Sequence, residues 1–169
     1  NSVRLADILN MLLDIHTFTN PNKIKAKKIK DKLENILDQY KDDNLLDGHI
    51  FYASLGEYYL AHGEFKKGEK YLDKSNQIRN SISITPSLVI AKTKVKKYDQ
   101  AKKILDLYKP ITTYDQVNFM NAKFIFNYET KNIEELKKII AETYLYYSNY
   151  SKGIIREKGN PGIDFFKRK

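Results

Sequence analysis

Apolar residues recur three and four positions apart along most of the chain, the spacing that puts side chains on one face of an α-helix. The alternating pattern of a β-strand persists over no segment. Breaks rich in Gly, Pro, Asn or Asp separate the helical runs. The pattern therefore predicts an all-α fold of eight helices, at about 5–18, 23–40, 45–61, 65–75, 86–95, 98–109, 112–132 and 133–150.

Residues at several breaks are typical of helix ends. Thr85 predicts an N-cap, with Pro86 in the first helical turn where proline is tolerated. Asn132 predicts the N-cap of the eighth helix, followed by two glutamates that the helix dipole favours there. Gly63 predicts a break between the third and fourth helices.

The second helices of successive pairs share a pattern. Five core positions of the fourth helix coincide with five of the sixth at an offset of 33, and those coincide with five of the eighth at an offset of 35. The second helix fits more loosely, at an offset of 42. Such periods are typical of helical solenoids, in which stacked hairpins bury faces that one hairpin leaves open. The matched positions are Phe65/Tyr98/Ile133, Gly68/Ala101/Leu136, Tyr71/Ile104/Ile139, Leu72/Leu105/Ile140 and Ser75/Tyr108/Thr143.

Residue size at the shared positions suggests how the hairpins pack. Gly68 and Ala101 are small, so each second helix is expected to approach its hairpin mate closely. Phe65 and Tyr98 are expected to fill the gap to the next hairpin. The alternative is a plain helical bundle whose hairpins happen to recur.

The third and fourth helices carry a motif that resembles the tetratricopeptide repeat. The resemblance covers about residues 20–150, although Asn80 stands where that repeat has proline. It implies a right-handed α-solenoid of about four degenerate hairpins over 1–152, then a C-terminal capping segment or tail over 153–169. The matching residues are Leu55, Gly56, Tyr59, Gly63, Gly68, Leu72 and Ser75.

The same resemblance implies a concave groove that binds a peptide or protein segment and is lined by the third, fifth and seventh helices. Asparagine suits such a groove because its amide both donates to and accepts from a peptide backbone. The register of the seventh helix leaves open whether Asn118 and Asn121 face the groove or point away. The candidate peptide-binding residues are Glu57, Thr93, Lys94, Asn118, Asn121 and Tyr128.

In repeat spacing and Lys/Asn/Ile-rich composition, the chain is also similar to the sensor domains of the RNPP group of bacterial peptide-pheromone receptors. This similarity implies a role in transcription regulation and an upstream helix-turn-helix or effector domain. The first residue is Asn1 and not Met. We therefore expect a processed product or a piece of a longer bacterial protein.

The formal net charge of +9 suits nucleic acid, anionic lipid or acidic protein partners. Six lysines fall within residues 23–32, and Lys23, Lys27 and Lys30 share one side of the second helix as candidate anion-binding residues. The alternative function is thus a basic helical scaffold that binds nucleic acid. A solvated face explains the same lysines, because no aromatic residue is interleaved for base stacking.

Four tyrosines fall within seven residues near the end of the eighth helix. They cannot all point into a core, and tyrosine is enriched at protein contacts. Tyr144, Tyr147 and Tyr150 are therefore candidate interface residues. Packing beneath the C-terminal tail, against Phe165 or Phe166, is the alternative.

The sequence offers no catalytic constellation. It has no cysteine, no phosphate-binding loop, and no pair among its three histidines at metal-binding spacing. We expect no enzymatic activity, no cofactor and no metal site. No apolar stretch is long enough to span a membrane, and charges near the start argue against a signal peptide. We expect a cytoplasmic protein without membrane partners, and a homo-oligomer is compatible with the sequence.

Overall fold

The computed structural model describes residues 2–39 and 48–151, and eight α-helices contain most of these residues. A π-helical turn, Ile15–Thr19, follows α1, and a 3-10 turn, Ile82–Ile84, precedes α5. The predicted all-α fold is confirmed for the described ranges. The helices are α1 Ser2–Asp14, α2 Lys23–Gln39, α3 Gly48–Ala61, α4 Phe65–Ile78, α5 Thr85–Lys94, α6 Tyr98–Leu107, α7 Thr113–Glu129 and α8 Ile133–Ser151.

The chain divides into two compact units, Asn1–Tyr108 and Lys109–Lys169. The first unit contains α1 to α6, and the second contains α7 and α8. The segment 153–169 lies outside the described residues, and so does the alternative in which Phe165 or Phe166 packs against the tyrosines of the eighth helix.

Side chains cap several helices at their starts. Asn22 Oδ1 accepts a hydrogen bond from the Lys25 amide at 3.0 Å before α2. Asn132 Oδ1 accepts one from the Glu135 amide at 3.3 Å, which confirms the predicted cap of α8. Such bonds satisfy amides that have no partner within the helix.

The predicted N-cap at Thr85 is wrong by one position. Thr85 is the first residue of α5, Ile84 is its N-cap, and no side chain forms a capping bond there. The Thr85 hydroxyl instead donates to the Ser81 carbonyl at 3.1 Å. Pro86 therefore occupies the second helical position, where its missing N–H costs nothing.

One turn geometry recurs in the three hairpins α3–α4, α5–α6 and α7–α8. Gly63, Lys96 and Lys131 have positive φ angles of 77°, 65° and 59°. The offsets between them are 33 and 35 residues. In each turn, the residue that follows the positive-φ position donates a hydrogen bond from its backbone amide to the carbonyl five positions before it. This bond closes the helix as a Schellman motif. These bonds are Glu64 to Tyr59, Lys97 to Lys92 and Asn132 to Asn127.

Helices α3 and α4 approach each other closely because each helix has a glycine on the side that faces the other. A β-carbon on Gly68 would lie 2.9 Å from Leu60 Cδ2 and 3.1 Å from the Gly56 carbonyl oxygen. The expected close approach at Gly68 is confirmed. Ala101 takes the corresponding position on α6 and is fully buried.

Helices α1, α2 and α3 share the main core of the first unit. On α1 the buried face is formed by Ala6, Leu9 and Leu13. Leu5 and Ile8, which the apolar spacing groups with Leu9, remain exposed. The apolar pattern of α1 is thus wider than the face that packs in the first unit.

A buried lysine links α4, α5 and α6. Lys92 Nζ lies 2.9 Å from Asp73 Oδ2, 3.2 Å from Glu69 Oε1 and 3.1 Å from Gln100 Oε1. Lys97 Nζ approaches the same Glu69 oxygen at 2.6 Å. The pairs offset the cost of removing the Lys92 charge from water.

Candidate functional site

An open groove of about 560 Å³ runs between α7 and α8 in the second unit. The two helices also carry buried apolar side chains, among them Met120, Phe126, Leu136 and Ile139. None of the described residues that line the groove carries a charge. Its lining residues are Val117, Asn118, Met120, Asn121, Phe124, Ile140, Thr143, Tyr144 and Tyr147.

Helical spacing brings these side chains to the groove. Val117, Asn121 and Phe124 lie four and then three residues apart, so they share one face of α7. Ile140, Tyr144 and Tyr147 have the same spacing on α8. Each helix therefore contributes one continuous stripe, and the groove lies between the two stripes.

Local sequence fixes where each of these helices begins, and hence which face each stripe occupies. At the start of α7, Thr112 Oγ1 accepts from the Asp115 amide and the Asp115 carboxylate accepts from the Thr112 amide, both at 3.0 Å. This reciprocal pair is a capping box. Asn132 caps α8 as described above.

The polar groups of the groove are suited to binding a peptide backbone. Asn118 and Asn121 offer amides that both donate and accept. Tyr144 is 76% exposed and Tyr147 is 51% exposed, so their rings are available to a ligand. The Thr143 hydroxyl, in contrast, donates to the Ile139 carbonyl at 2.7 Å within its own helix.

Four residues singled out by the sequence thus meet in one place. Asn118 and Asn121 both line this groove, whereas their orientation toward a groove formed by several hairpins stays a prediction. Tyr144 and Tyr147, chosen separately as interface residues, lie opposite them. The groove lies between the two helices of one hairpin, whereas the resemblance implied a groove lined by the first helices of several hairpins.

Two other candidates of the second unit are not among the described residues that line the groove. Tyr128 is exposed and stacks on Phe124 with 6.3 Å between ring centroids. Tyr150 belongs to α8, but its side chain lies outside the described residues.

The remaining peptide-binding candidates lie in the first unit. Glu57 on α3 is half-buried and accepts a hydrogen bond from the Ser87 hydroxyl at 2.8 Å. Lys94 Nζ lies 5.8 Å from the centroid of the Phe65 ring. Thr93 is only 1% exposed, so in this conformation its side chain is not presented to a ligand.

The lysine-rich helix α2 presents fewer cations than its sequence indicates. Lys23 and Lys27 are exposed. The Lys30 side chain is 13% exposed and pairs with Asp31 at 2.5 Å and Glu34 at 3.1 Å. Because of these carboxylates the pKa of Lys30 is raised, although burial opposes the rise. The positive charge of Lys30 is therefore already paired with two carboxylates of the protein.

Sequence reasoning missed the apolar lining of the groove, namely Val117, Met120, Phe124 and Ile140, and also Thr143. A signal for these residues was present in the helical stripes that contain the asparagines and tyrosines. Periodicity alone, however, does not distinguish a stripe that lines a groove from one buried in a core.

Among the described residues, no three His, Cys, Asp or Glu side chains are grouped so that they could hold a metal ion. No helix in these ranges combines the length and apolar character needed to cross a membrane.

Comparison of the chain with protein-family models, with curated proteins and with solved structures yields no match. The assignment of function therefore depends on the residues of the groove and their chemistry.

Proposed function

We propose that this chain is a non-enzymatic binding module that holds a short peptide segment in the groove between α7 and α8. One observation carries the proposal. Asn118 and Asn121 on α7 and Tyr144 and Tyr147 on α8 line a single groove with an apolar floor. This combination of a few polar groups on apolar walls is typical of ligand sites.

The properties of the groove limit its occupant. Its volume of about 560 Å³ lies in the range of roughly 300–1,000 Å³ that is common for ligand sites. The asparagine amides pair with backbone N–H and C=O groups, and the tyrosine rings pack on apolar side chains. Because the described lining residues carry no charge, we propose an uncharged segment of a few residues with at least one apolar side chain.

We further propose that α3–α4, α5–α6 and α7–α8 are degenerate tetratricopeptide-like hairpins of a right-handed solenoid. The recurrence of the positive-φ turn at offsets of 33 and 35 supports this proposal. The resemblance also favours a sensor or regulatory role in a longer bacterial protein. Nucleic-acid binding through α2 has weaker support, because Lys30 is already paired with Asp31 and Glu34.

A displayed library of short peptides, selected on the whole chain, tests the proposal. We expect uncharged sequences with a recurring apolar position. Asn121→Ala and Tyr144→Ala should each weaken binding about tenfold or more, as expected for central contact residues. Matched controls are Asn80→Ala and Tyr114→Ala, which change exposed residues outside the groove and should leave binding unchanged.

Equal affinity in Asn121→Ala, Tyr144→Ala and the parent chain would contradict the groove assignment. If the selection instead yields acidic peptides whose binding is lost in Lys23→Ala and Lys27→Ala, the binding site lies on α2 and not in the groove. Circular dichroism of each variant confirms that a loss of affinity does not reflect unfolding.

A further inference from the structure

One face of α1 is apolar and remains exposed in the folded first unit. The helix packs against α2 and α3, and its buried face holds Ala6, Leu9 and Leu13. A second apolar face lies beside the buried one, and each of its residues is 37–65% exposed. This face, called the α1 stripe below, consists of Leu5, Ile8, Met11, Leu12 and Ile15.

The spacing within the α1 stripe is typical of a seam between two helices. Four of its residues are separated by three, four and three positions, which is the spacing of positions a and d in a coiled-coil heptad. These four are Leu5, Ile8, Leu12 and Ile15. The residues that α1 buries in its own unit occupy other positions of the same repeat. The core of the first unit therefore does not account for the stripe.

The exposed area of the α1 stripe is sufficient for a specific contact. At about 200 Å² for a large side chain, its exposed fractions correspond to roughly 500 Å² of apolar surface in each copy. Contiguous apolar patches of several hundred square ångströms are typical of interaction sites. Two copies in contact would bury about 1,000 Å², the area that a specific interface needs, before the exposed Arg4 and Phe18 are counted.

We propose that two copies of this chain associate through their α1 stripes, packed antiparallel about a two-fold axis. The spacing of three, four and three reads the same in both directions, so the stripe is complementary to a reversed copy of itself. In this register Leu5 contacts Ile15 of the second copy, and Ile8 contacts Leu12 of the second copy. Each contact then occurs twice, as a two-fold interface requires.

Charge favours the antiparallel orientation. Arg4 is exposed and lies four residues before Ile8, so the two side chains are neighbours on one face. A parallel pair would bring the two Arg4 side chains together, whereas an antiparallel pair places them at opposite ends. The positive N-terminal end of each helix then lies beside the negative C-terminal end of the other.

Charge also favours a second copy over an anionic lipid surface as the occupant. Asp7 is exposed and lies four residues before Met11, so it borders the stripe with a carboxylate. Helices that lie on membranes carry lysine and arginine on their polar face instead. A charged residue at the edge suits a protein interface, because such interfaces have an apolar centre and a polar rim.

Sedimentation equilibrium of the whole chain over a micromolar concentration range tests the association. We expect a monomer–dimer equilibrium with a micromolar dissociation constant, since the interface is at the small end of the specific class. Ile8→Lys and Leu12→Lys should each weaken the dimer about a hundredfold, because each change enters a two-fold seam twice. Leu107→Lys is the control, since Leu107 is an exposed apolar residue of α6, and it should leave the equilibrium unchanged.

Disulfide cross-linking tests the orientation. The chain has no cysteine, so single substitutions give unambiguous products. An equimolar mixture of Ile8→Cys and Leu12→Cys, oxidised by air and copper phenanthroline, should yield mainly the mixed dimer, well above the share expected from random pairing. Mass spectrometry distinguishes the products. Predominance of dimers that contain one variant alone would overturn the antiparallel arrangement.

Three results would overturn the association itself. The first is a parent chain that stays monomeric at every concentration, and the second is a dimer that persists in both lysine variants. The third is a monomeric parent chain that co-sediments with phosphatidylserine vesicles and loses this binding in Ile8→Lys, which would assign the stripe to a membrane surface. If circular dichroism shows unfolding of a lysine variant, Ile8→Ser and Leu12→Ser provide the same comparison. This inference is independent of the groove between α7 and α8, so either proposal can fail without the other.

Discussion

Gly56 and Leu72 pack so closely that a β-carbon on Gly56 would lie 2.6 Å from Leu72 Cγ and 3.1 Å from the Leu72 backbone nitrogen. Leu72 is fully buried, and one of the two close contacts is with its backbone, which a rotamer change does not relieve. Gly56→Ala should therefore lower the free energy of unfolding by about 1–3 kcal/mol, despite the higher helix propensity of alanine. Urea denaturation monitored by circular dichroism measures the change.

Gly48→Ala is the matched control in the same helix. A β-carbon there would lie 3.4 Å from Tyr52 Cε2, which is an ordinary contact. Its effect should stay within about 0.5 kcal/mol. Equal stability of Gly56→Ala and the parent chain would show that α3 and α4 separate easily, contrary to the packing described above.

The recurring turns predict two stabilising substitutions. Lys96 and Lys131 have positive φ angles and exposed side chains, whereas Gly63 occupies the equivalent position of the first turn. Side chains with a β-carbon are strained in this conformation. Lys96→Gly and Lys131→Gly should each raise the free energy of unfolding by about 0.5–1 kcal/mol, and Gly63→Ala should lower it by a similar amount.

Lys103→Gly is the control for these turn variants, because Lys103 is an exposed residue inside α6. Glycine at a helix interior should cost about 1 kcal/mol. Thermal and urea unfolding of these variants and the parent chain show whether each substitution stabilises or destabilises the fold. Destabilisation by Lys96→Gly would mean that its side chain makes a contact that outweighs the strain of the turn.

A network around Glu34 predicts a pH dependence of stability. The hydroxyls of Tyr59 and Tyr71 donate to Glu34 Oε1 at 2.6 and 2.7 Å, and Lys30 Nζ lies 3.1 Å from Oε2. Burial alone would raise the pKa of Glu34, but these bonds hold it below its ordinary value of 4.5. Burial and the bond to Glu34 raise the pKa of Tyr59 to about 12.

Because the folded state lowers this pKa, ionised Glu34 stabilises the fold fully above pH 4.5. That contribution is lost as the pH falls through the lower pKa of the folded state. Glu34→Gln keeps an acceptor for the tyrosines but places an amide beside Lys30. It should cost about 1–2 kcal/mol at pH 7, and the cost should shrink below pH 4.5.

Urea unfolding of the parent chain and Glu34→Gln between pH 7 and pH 3 provides the measurement. Glu142→Gln, which changes an exposed carboxylate of α8, should show no such dependence. A cost that stays constant across this range would rule out the ionised carboxylate as its source.

Sequence predicted the helices well because their signals are local. Apolar spacing, the Asn132 cap and Gly63 each act within a few residues, and the structure confirms them in the described ranges. The prediction of Thr85 as an N-cap was wrong because its hydroxyl donates a hydrogen bond to the Ser81 carbonyl, a competing partner four residues earlier. Either geometry is compatible with a threonine followed by proline.

Site residues were harder to predict because the use of a side chain depends on distant neighbours. In the sequence, Lys30 looked free to bind an anion. In the structure, it forms an ion pair with the carboxylate of Glu34, which also accepts hydrogen bonds from Tyr59 and Tyr71. Lys92 was not singled out at all. Its partners Glu69, Asp73 and Gln100 lie on other helices, and no local pattern reveals such neighbours.

The sequence by itself determined the helices, the recurring turns and the small residues Gly68 and Ala101, since periodicity, capping and backbone conformation depend on residues within one or two turns. Only the tertiary structure decided which stripes face each other. It brought Asn118 and Asn121 opposite Tyr144 across one groove. The physical reason is that charge pairing and groove formation depend on helix packing between residues far apart in the chain.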